Sequence, residues 1–343
     1  MKKETIISIE KANAYFKTGN IKNAREIYRQ LIIKDKFYNF LYFNMKKIDG
    51  FSIRNIKKLN IAVLTNCQGG PIKGLIKKHL PQTTFQTIKP VHLIPKNSYE
   101  DVFKELVNSD LIIAQPLSES FGELSFINIS KFFRKKLITI PNIYFEGFNP
   151  ELFYFKNIDG STNREFIIDY HDIFVLYGYL KKKSIDEVHS WFYNKEFIEK
   201  KFFKDIYQDS LNRLENKEEM TTLSISDTIA KTMNKSFNTM NHPSNPIIDE
   251  LSKRILCYIG YEGKFDGAKS RLLANIQVPS YAYVCNYLNI TFIEDYTVDD
   301  KKYSKKEMIG KYYKFYDSID SGTLEFNFNR SVKNFKEVLD EIR

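Results

Sequence analysis

The segment Leu59-Asn60-Ile61-Ala62-Val63-Leu64-Thr65-Asn66-Cys67-Gln68-Gly69-Gly70-Pro71 constrains this chain more than any other. An apolar, partly β-branched run stops at a polar cluster centred on a cysteine. Two glycines and a proline follow, then an amphipathic segment from Ile72 to Leu80. Strands covered on both faces read as unbroken apolar runs, so this one is expected in a parallel sheet that delivers a thiol to the start of a helix. Pro71 is expected at the first helical position, where a missing N–H costs nothing. The free amides and positive dipole end of such a helix favour an anion, so a thiolate at Cys67 is expected to be stabilised.

The same alternation of strand and helix continues to residue 150. Phe85 to His92 reads as a second strand, Tyr99 to Val107 as a helix, and Asp110 to Ala114 and Lys136 to Ile140 as short buried strands. Such alternation predicts an α/β fold, a mostly parallel sheet flanked by helices in a three-layer, flavodoxin-like or SGNH-like core. Ligands in these sheets sit beyond the carboxyl ends of the strands. Asn66-Cys67-Gln68, Gln115-Pro116 and Pro141-Asn142-Ile143-Tyr144 all fall at those ends.

Outside this core the pattern changes. Ala12, Tyr15, Phe16, then Gly19-Asn20, then Ala24, Ile27, Tyr28 and Leu31 predict two helices around a turn within residues 1–57. The spacing resembles the middle of one tetratricopeptide unit, but a single copy cannot bury its own face, so a hairpin packed on the main domain is the expectation. The main domain is then 58–343, with a helical insertion at about 160–238 that includes Ile185 to Tyr193 and Glu196 to Leu214. Glu215 to Glu219 reads as an exposed junction, Met240 to Pro246 as a loop fixed by two prolines, Ile247 to Ile259 as a helix, and Ser331 to Ile342 as a closing helix.

Composition excludes more than it identifies. The formal charge of +10 is spread over scattered lysine pairs, with no zinc-finger spacing, aromatic RNA-binding motif or continuous basic helix, so nucleic acid is not an expected partner. Three cysteines, Cys67, Cys257 and Cys285, form neither a disulfide framework nor a metal site. No run reaches the roughly 18 apolar residues of a membrane span, and Glu10, Lys11 and Asn13 break any signal-peptide core. A cytoplasmic protein is expected, with peripheral association at the inner membrane face as an option.

His242, in Asn-His-Pro-Ser-Asn-Pro, is the candidate general base, because a rigid polar loop suits that work. Gln115 and Asn142 are neutral amides able to donate to an oxyanion, and the backbone amides of Gln68 and Gly69 are candidate donors as well. Lys73, Arg134, Lys135 and Lys136 are candidates for meeting phosphates. His79, His92, His171 and His189 show no metal-ligand spacing.

Taken together, Asn66-Cys67-Gln68, Ala114-Gln115-Pro116, the run from Pro141 to Glu151 and Met240-Asn241-His242-Pro243-Ser244 resemble the WcbI-type polysaccharide-biosynthesis acetyltransferases over roughly residues 58–290. The resemblance implies coenzyme A binding and O-acetylation of a capsular or surface glycan. Cys67 and His242 would be the catalytic pair, Asn66, Gln68, Gly69, Gln115, Asn142, Tyr144 and Asn241 would line the site, and Lys73, Arg134 and Lys136 would meet the cofactor. Asn149 departs from the histidine common in that family's G-x-H-P element. A more distant likeness to SGNH hydrolases puts cysteine where they have serine, and Thr239 where they carry the aspartate that orients the histidine. The implied acceptor is a glycan, a sugar nucleotide or a lipid-linked sugar, and acetyl-CoA the donor, without a metal. Two alternatives stay open: a cysteine-dependent esterase or thioesterase on acylated glycans, and a non-catalytic scaffold whose hairpin contacts glycan-assembly proteins.

Overall fold

The structure, a computed structural model, describes residues 3–34, 46, 58–232, 234–291, 295–332, 335 and 339. The chain packs as two units, one made of Met1–Asn142, Leu214–Lys231 and Asn245–Leu272, the other of Ile143–Arg213, Thr232–Ser244 and Leu273–Arg343.

The first unit is built on a parallel sheet. Strand β1 (Asn60–Leu64) lies between β2 (Thr84–Phe85) and β3 (Leu111–Ala114), and β3 pairs with the edge strand β4 (Leu137–Thr139). Alternation sorts the side chains. Ala62, Leu64, Ile112, Ala114 and Leu137 join one apolar cluster with Leu106, Ile129 and Phe133. Ile61, Val63, Leu111 and Ile113 are buried on the opposite face. The α/β class expected from the apolar runs is therefore present, with helices on both faces. Here α1 (Lys3–Lys17) and α2 (Ile21–Lys34) form a hairpin, α3 (Gly69–His79) follows β1, α4 (Tyr99–Val107) precedes β3, and α5 (Phe126–Phe133) precedes β4. The hairpin buries Ala12, Ala24 and Tyr28, and the Tyr28 hydroxyl donates to Asn13 Oδ1 at 2.8 Å. Gly19 turns it at φ +78°, a conformation that costs glycine little. The boundary expected near residue 57 lies outside the described residues.

Three expectations need correction here. The second strand stops at Phe85. Gln86 still donates to the Ile61 carbonyl at 2.9 Å, but Pro90 has no N–H to continue a ladder, and a 3₁₀ turn takes over at Val91–Leu93. Helix α3 starts at Gly69, so Pro71 is its third residue, still inside the first turn where amides need no partner. Glu215–Glu219 is exposed as expected at Glu215, Asn216, Lys217 and Glu219, but not at Glu218. It ends a helix, and Glu218 is buried, accepting from the amides of Ile225 (2.6 Å) and Ser226 (3.0 Å).

Among the described residues the second unit has no parallel sheet. It contains the antiparallel pair β5 (Leu152–Tyr154) and β6 (Tyr170–Asp172), then α6 (Ile173–Leu180), α7 (Ile185–Trp191) and most of α8 (Lys200–Glu218), which runs on into the first unit's α9 (Ser226–Lys231). Next come the hairpin β7 (Phe237–Thr239) and β8 (His242–Pro243), so the Met240–Pro246 segment, expected as a loop fixed by two prolines, is a turn, a short strand and the start of the following helix. Helix α10 (Asn245–Ile259) returns to the first unit, where it packs on α3. The second unit closes with β9 (Ile276–Gln277), α11 (Ala282–Leu288), β10 (Tyr296–Val298), β11 (Lys301–Tyr303), α12 (Lys305–Tyr316) and α13 (Ser321–Ser331). The closing helix expected from Ser331 to Ile342 falls mostly outside the described residues.

Candidate active site

At the carboxyl end of β1 the chain turns through Asn66-Cys67-Gln68 into α3. Gly69 is required at this turn: a Cβ there would stand 2.0 Å from Thr65 Oγ1 and 3.1 Å from Val63 Cγ1, because the helix start crosses closely over the strand. Gly70 and Gly74, one helical turn apart, have open space where a side chain would be.

A network of neutral amides holds the turn. The Asn66 amide N–H donates to Gln115 Oε1 at 2.9 Å, and Gln115 Nε2 donates to Gln68 Oε1 at 2.9 Å. Asn66 Nδ2 donates to Asn142 Oδ1 at 2.9 Å, while Asn66 Oδ1 accepts from the Gln68 amide at 3.0 Å. Residues after β1, β3 and β4 thus meet on one rim, as three polar clusters at strand ends had suggested. Gln115 is buried with both ends of its amide engaged, so it braces the turn instead of pointing a free donor at a ligand. The Gln68 and Gly69 amides, expected as oxyanion donors, are also occupied: Gly69 N–H donates to the Asn66 carbonyl at 3.1 Å. Asn142 is exposed, and its Oδ1 accepts from Asn66 Nδ2.

Cys67 is partly exposed on this rim. Its thiol is pushed up by burial, against the opposing pull of the Cys67 and Gln68 amides. The expectation of a stabilised thiolate is therefore reversed: desolvation outweighs the amides, and the resting group is a thiol.

Of the cations proposed to meet phosphates, Lys73 lies on α3 beside Gly70 and Gly74, half-buried, with burial lowering its pKa. Arg134 and Lys136 lie elsewhere. They precede β4, at the amino ends of strands whose carboxyl ends carry Cys67. Lys136 Nζ is committed to the carbonyls of Leu106 (2.9 Å), Val107 (2.8 Å) and Ser109 (2.6 Å), closing the end of α4.

In the second unit, the β7–β8 hairpin carries Asn241 and His242. The Phe145 amide donates to the Met240 carbonyl at 2.8 Å, and the Tyr144 hydroxyl donates to Glu146 Oε1 at 3.1 Å, so the segment after Asn142 is stitched to that hairpin. Burial and the neighbouring Glu146 push the Tyr144 phenol well up, which keeps it a neutral hydroxyl. Asn241 Oδ1 accepts from Tyr170 Oη at 2.6 Å and from Thr239 Oγ1 at 3.1 Å. Thr239 therefore serves the turn. The Tyr170 ring meets His242 edge-on at 6.1 Å, and His242 Nδ1 is buried without a hydrogen-bond partner among the described residues. Burial drives the His242 pKa down to about 4, with Asp169 pulling it back. The pairing of β6 with β5 beside this hairpin gives Asp169 and Tyr170 their role. His171 itself lies in an aromatic cage of Phe153, Phe155, Phe166 and Tyr312, its Nδ1 3.0 Å from Tyr316 Oη, and burial holds it neutral with a pKa of about 3. Asn149 is buried, donating to Glu151 Oε1 at 2.9 Å and the Pro279 carbonyl at 3.1 Å, so it belongs to the core.

A thiol on the carboxyl rim of a parallel sheet, braced by amides at the start of a glycine-opened helix, defines an α/β protein with a cysteine-centred candidate site. The sequence profile of the polysaccharide biosynthesis enzyme WcbI matches residues 60–264, and the chain belongs to that family. The chain is also similar in fold to a solved structure of WcbI, described as a novel polysaccharide biosynthesis enzyme, in its native form without a disulfide bond between coenzyme A and a cysteine. The TM-score is 0.71 at 14% identity, over 83% of this chain and 97% of that one. No curated protein matches the sequence significantly.

Proposed function

We propose that this polysaccharide biosynthesis enzyme is an O-acetyltransferase that moves an acetyl group from acetyl-coenzyme A to a sugar hydroxyl of a glycan, carried as a polymer, a sugar nucleotide or a lipid-linked sugar. The observation that carries the reading is Cys67, partly exposed at the carboxyl end of β1 in a family whose solved member is described with coenzyme A and a cysteine. Gly70 and Gly74 leave room along the start of α3, and Lys73 beside them suits a phosphate of the donor.

At neutral pH burial leaves Cys67 a thiol and His242 an uncharged imidazole, the two forms a proton transfer between them starts from. In the covalent route His242 takes the thiol proton as the sulfur attacks the thioester carbonyl. The new S–C bond replaces the old one, and coenzyme A departs as a thiol after taking that proton. The sugar hydroxyl then gives its proton to the imidazole, its oxygen attacks the acetyl group, and Cys67 leaves with the proton returned. In the direct route His242 activates the hydroxyl and Cys67 only shapes the site. Asp169 is the charge that would stabilise the imidazolium formed in either case.

Coenzyme A should raise the thermal transition of the protein, with stabilisation of about 2.7 kcal/mol at a hundredfold excess over its dissociation constant, and should protect Cys67 from iodoacetamide. No thermal shift with coenzyme A, or full transfer activity in both Cys67→Ser and His242→Ala, overturns the reading. A hydrolase would instead release acetate at a rate independent of acceptor sugar.

A further inference from the structure

Helix α5 presents an outer face that a buried or freely solvated helix would not carry. Ile129 and Phe133 point into the core, whereas Ile127 is 58% and Phe132 64% exposed. Val107, at the end of α4, is 52% exposed and tied to the same region because its carbonyl accepts from Lys136. Phe103 of α4 meets Phe132 edge-on at 5.8 Å, so Phe132 is a supported, protruding ring.

Along the segment that carries Ile127 and Phe132 the charge has one sign, whereas Glu105 and Asp110 flank Val107. Between Glu123 and Glu146 no acidic residue occurs, while Lys131, Arg134, Lys135 and Lys136 all fall there. Lys131, Arg134 and Lys135 are exposed, and the Lys131 ammonium lies 5.9 Å from the Phe132 ring centre. Arg134 also lines a cavity of about 190 Å³ with Ser130, Thr139 and Met220, the last 52% exposed. Aromatic and aliphatic side chains standing out among cations are what a helix lying in the headgroup layer of a membrane shows. A second copy of the chain is a poor occupant, since it would bring two cationic faces together.

We infer that this face rests on an anionic bilayer surface, with Ile127 and Phe132 among the headgroups, Lys131 and Lys135 against lipid phosphates, and Arg134 drawing a headgroup toward its cavity. The inference is independent of the transfer reaction. It does give a glycan carried on a lipid a reason to meet this enzyme at the membrane surface.

The test is co-sedimentation of the full chain with vesicles of phosphatidylcholine alone or with 30% phosphatidylglycerol. Binding is expected only to the anionic vesicles. It should weaken about fivefold for each of Lys131→Gln and Lys135→Gln, and fade with added salt. Ile127→Asn with Phe132→Ser should reduce it at least tenfold while leaving the thermal transition and its shift by coenzyme A unchanged. In Phe132→Trp the new indole emission should move to the blue on anionic vesicles only. Equal binding to both vesicle types, no binding to either, binding unchanged in the Ile127/Phe132 double variant, or a stable dimer abolished by that variant would each overturn the inference.

Discussion

The two units of this chain solve the problem of burial with different side chains. In the first, the interior is mainly Ile, Leu, Val and Ala sorted by strand alternation, with Tyr28, Tyr258 and Phe133 among them, and its buried polar groups are mostly neutral amides and hydroxyls, Arg254 and Glu218 apart. In the second, the interior is aromatic: Phe145, Phe148, Phe155, Phe174, Phe192, Tyr281, Tyr296, Tyr312 and Tyr316 are fully buried, along with ionisable Glu151, Asp172 and His171. An aliphatic sheet core is tolerant of pH and sensitive to volume. An aromatic core threaded with titratable groups is sensitive to both, because each buried charge or hydroxyl must find a partner. Tyr281 Oη donates to Asp172 Oδ2 at 2.8 Å while Asp172 also caps α6 through the Phe174 and Val175 amides.

The largest expected effects are on chemistry. Cys67→Ser and His242→Ala should each lower transfer by about 10²–10⁴, in steady-state assays with saturating donor. Asp169→Asn should lower kcat less and move the acid limb of the profile to lower pH, since Asp169 raises the His242 pKa. An unmoved limb would mean that Asp169 has no influence on the base.

Core volume comes next. Ile112→Ala should cost about 2–5 kcal/mol in denaturant unfolding, by lost burial plus a cavity. Tyr281→Phe, with hardly any volume change, should still cost about 1–3 kcal/mol because Asp172 loses a donor. If the hydroxyl deletion proved neutral, the contrast between the two cores would fail. Gly69→Ala should cost about 1–3 kcal/mol through the clash with Thr65, with loss of coenzyme A stabilisation as the turn shifts.

Acid should act through the second unit. His242 and His171 have folded pKa values of about 4 and about 3, below the ordinary value of about 6.5 that unfolding restores. At these two histidines the unfolded chain therefore takes up protons first, so their contribution to stability is whole above about pH 6.5 and declines as pH falls from there toward 4, while Glu151 and Asp172, whose carboxyls burial pushes up, act in the opposite sense. His171→Phe should flatten that decline when unfolding is measured at pH 7.5 and pH 5. The smallest effect is Lys136→Met, about 1 kcal/mol from uncapping α4, with the coenzyme A shift intact. A lost shift would place the donor at the wrong rim.

Why the first unit was legible follows from periodicity. Residues 61–64, 111–114 and 137–138 are apolar without a break, a pattern that suits buried parallel strands, and glycines with a proline after Cys67 mark the turn. The second unit resisted because Phe and Tyr are abundant throughout the chain, so aromatic residues carry little positional information. Its antiparallel pairs are only two or three residues long, too short for alternation to show. Lys136 misled for a related reason: composition shows a cation, and whether it meets a phosphate or three carbonyls depends on which end of the strand it precedes.

By itself the amino-acid order determined the parallel α/β core, the placing of Cys67 at the end of its first strand, and the family motifs, all properties of neighbours along the chain. Only the tertiary structure decided the protonation of Cys67 and His242, the bracing role of Gln115 and the duty of Lys136. Each of those depends on how much water is excluded and on which distant group supplies the partner, and neither quantity is written in local sequence.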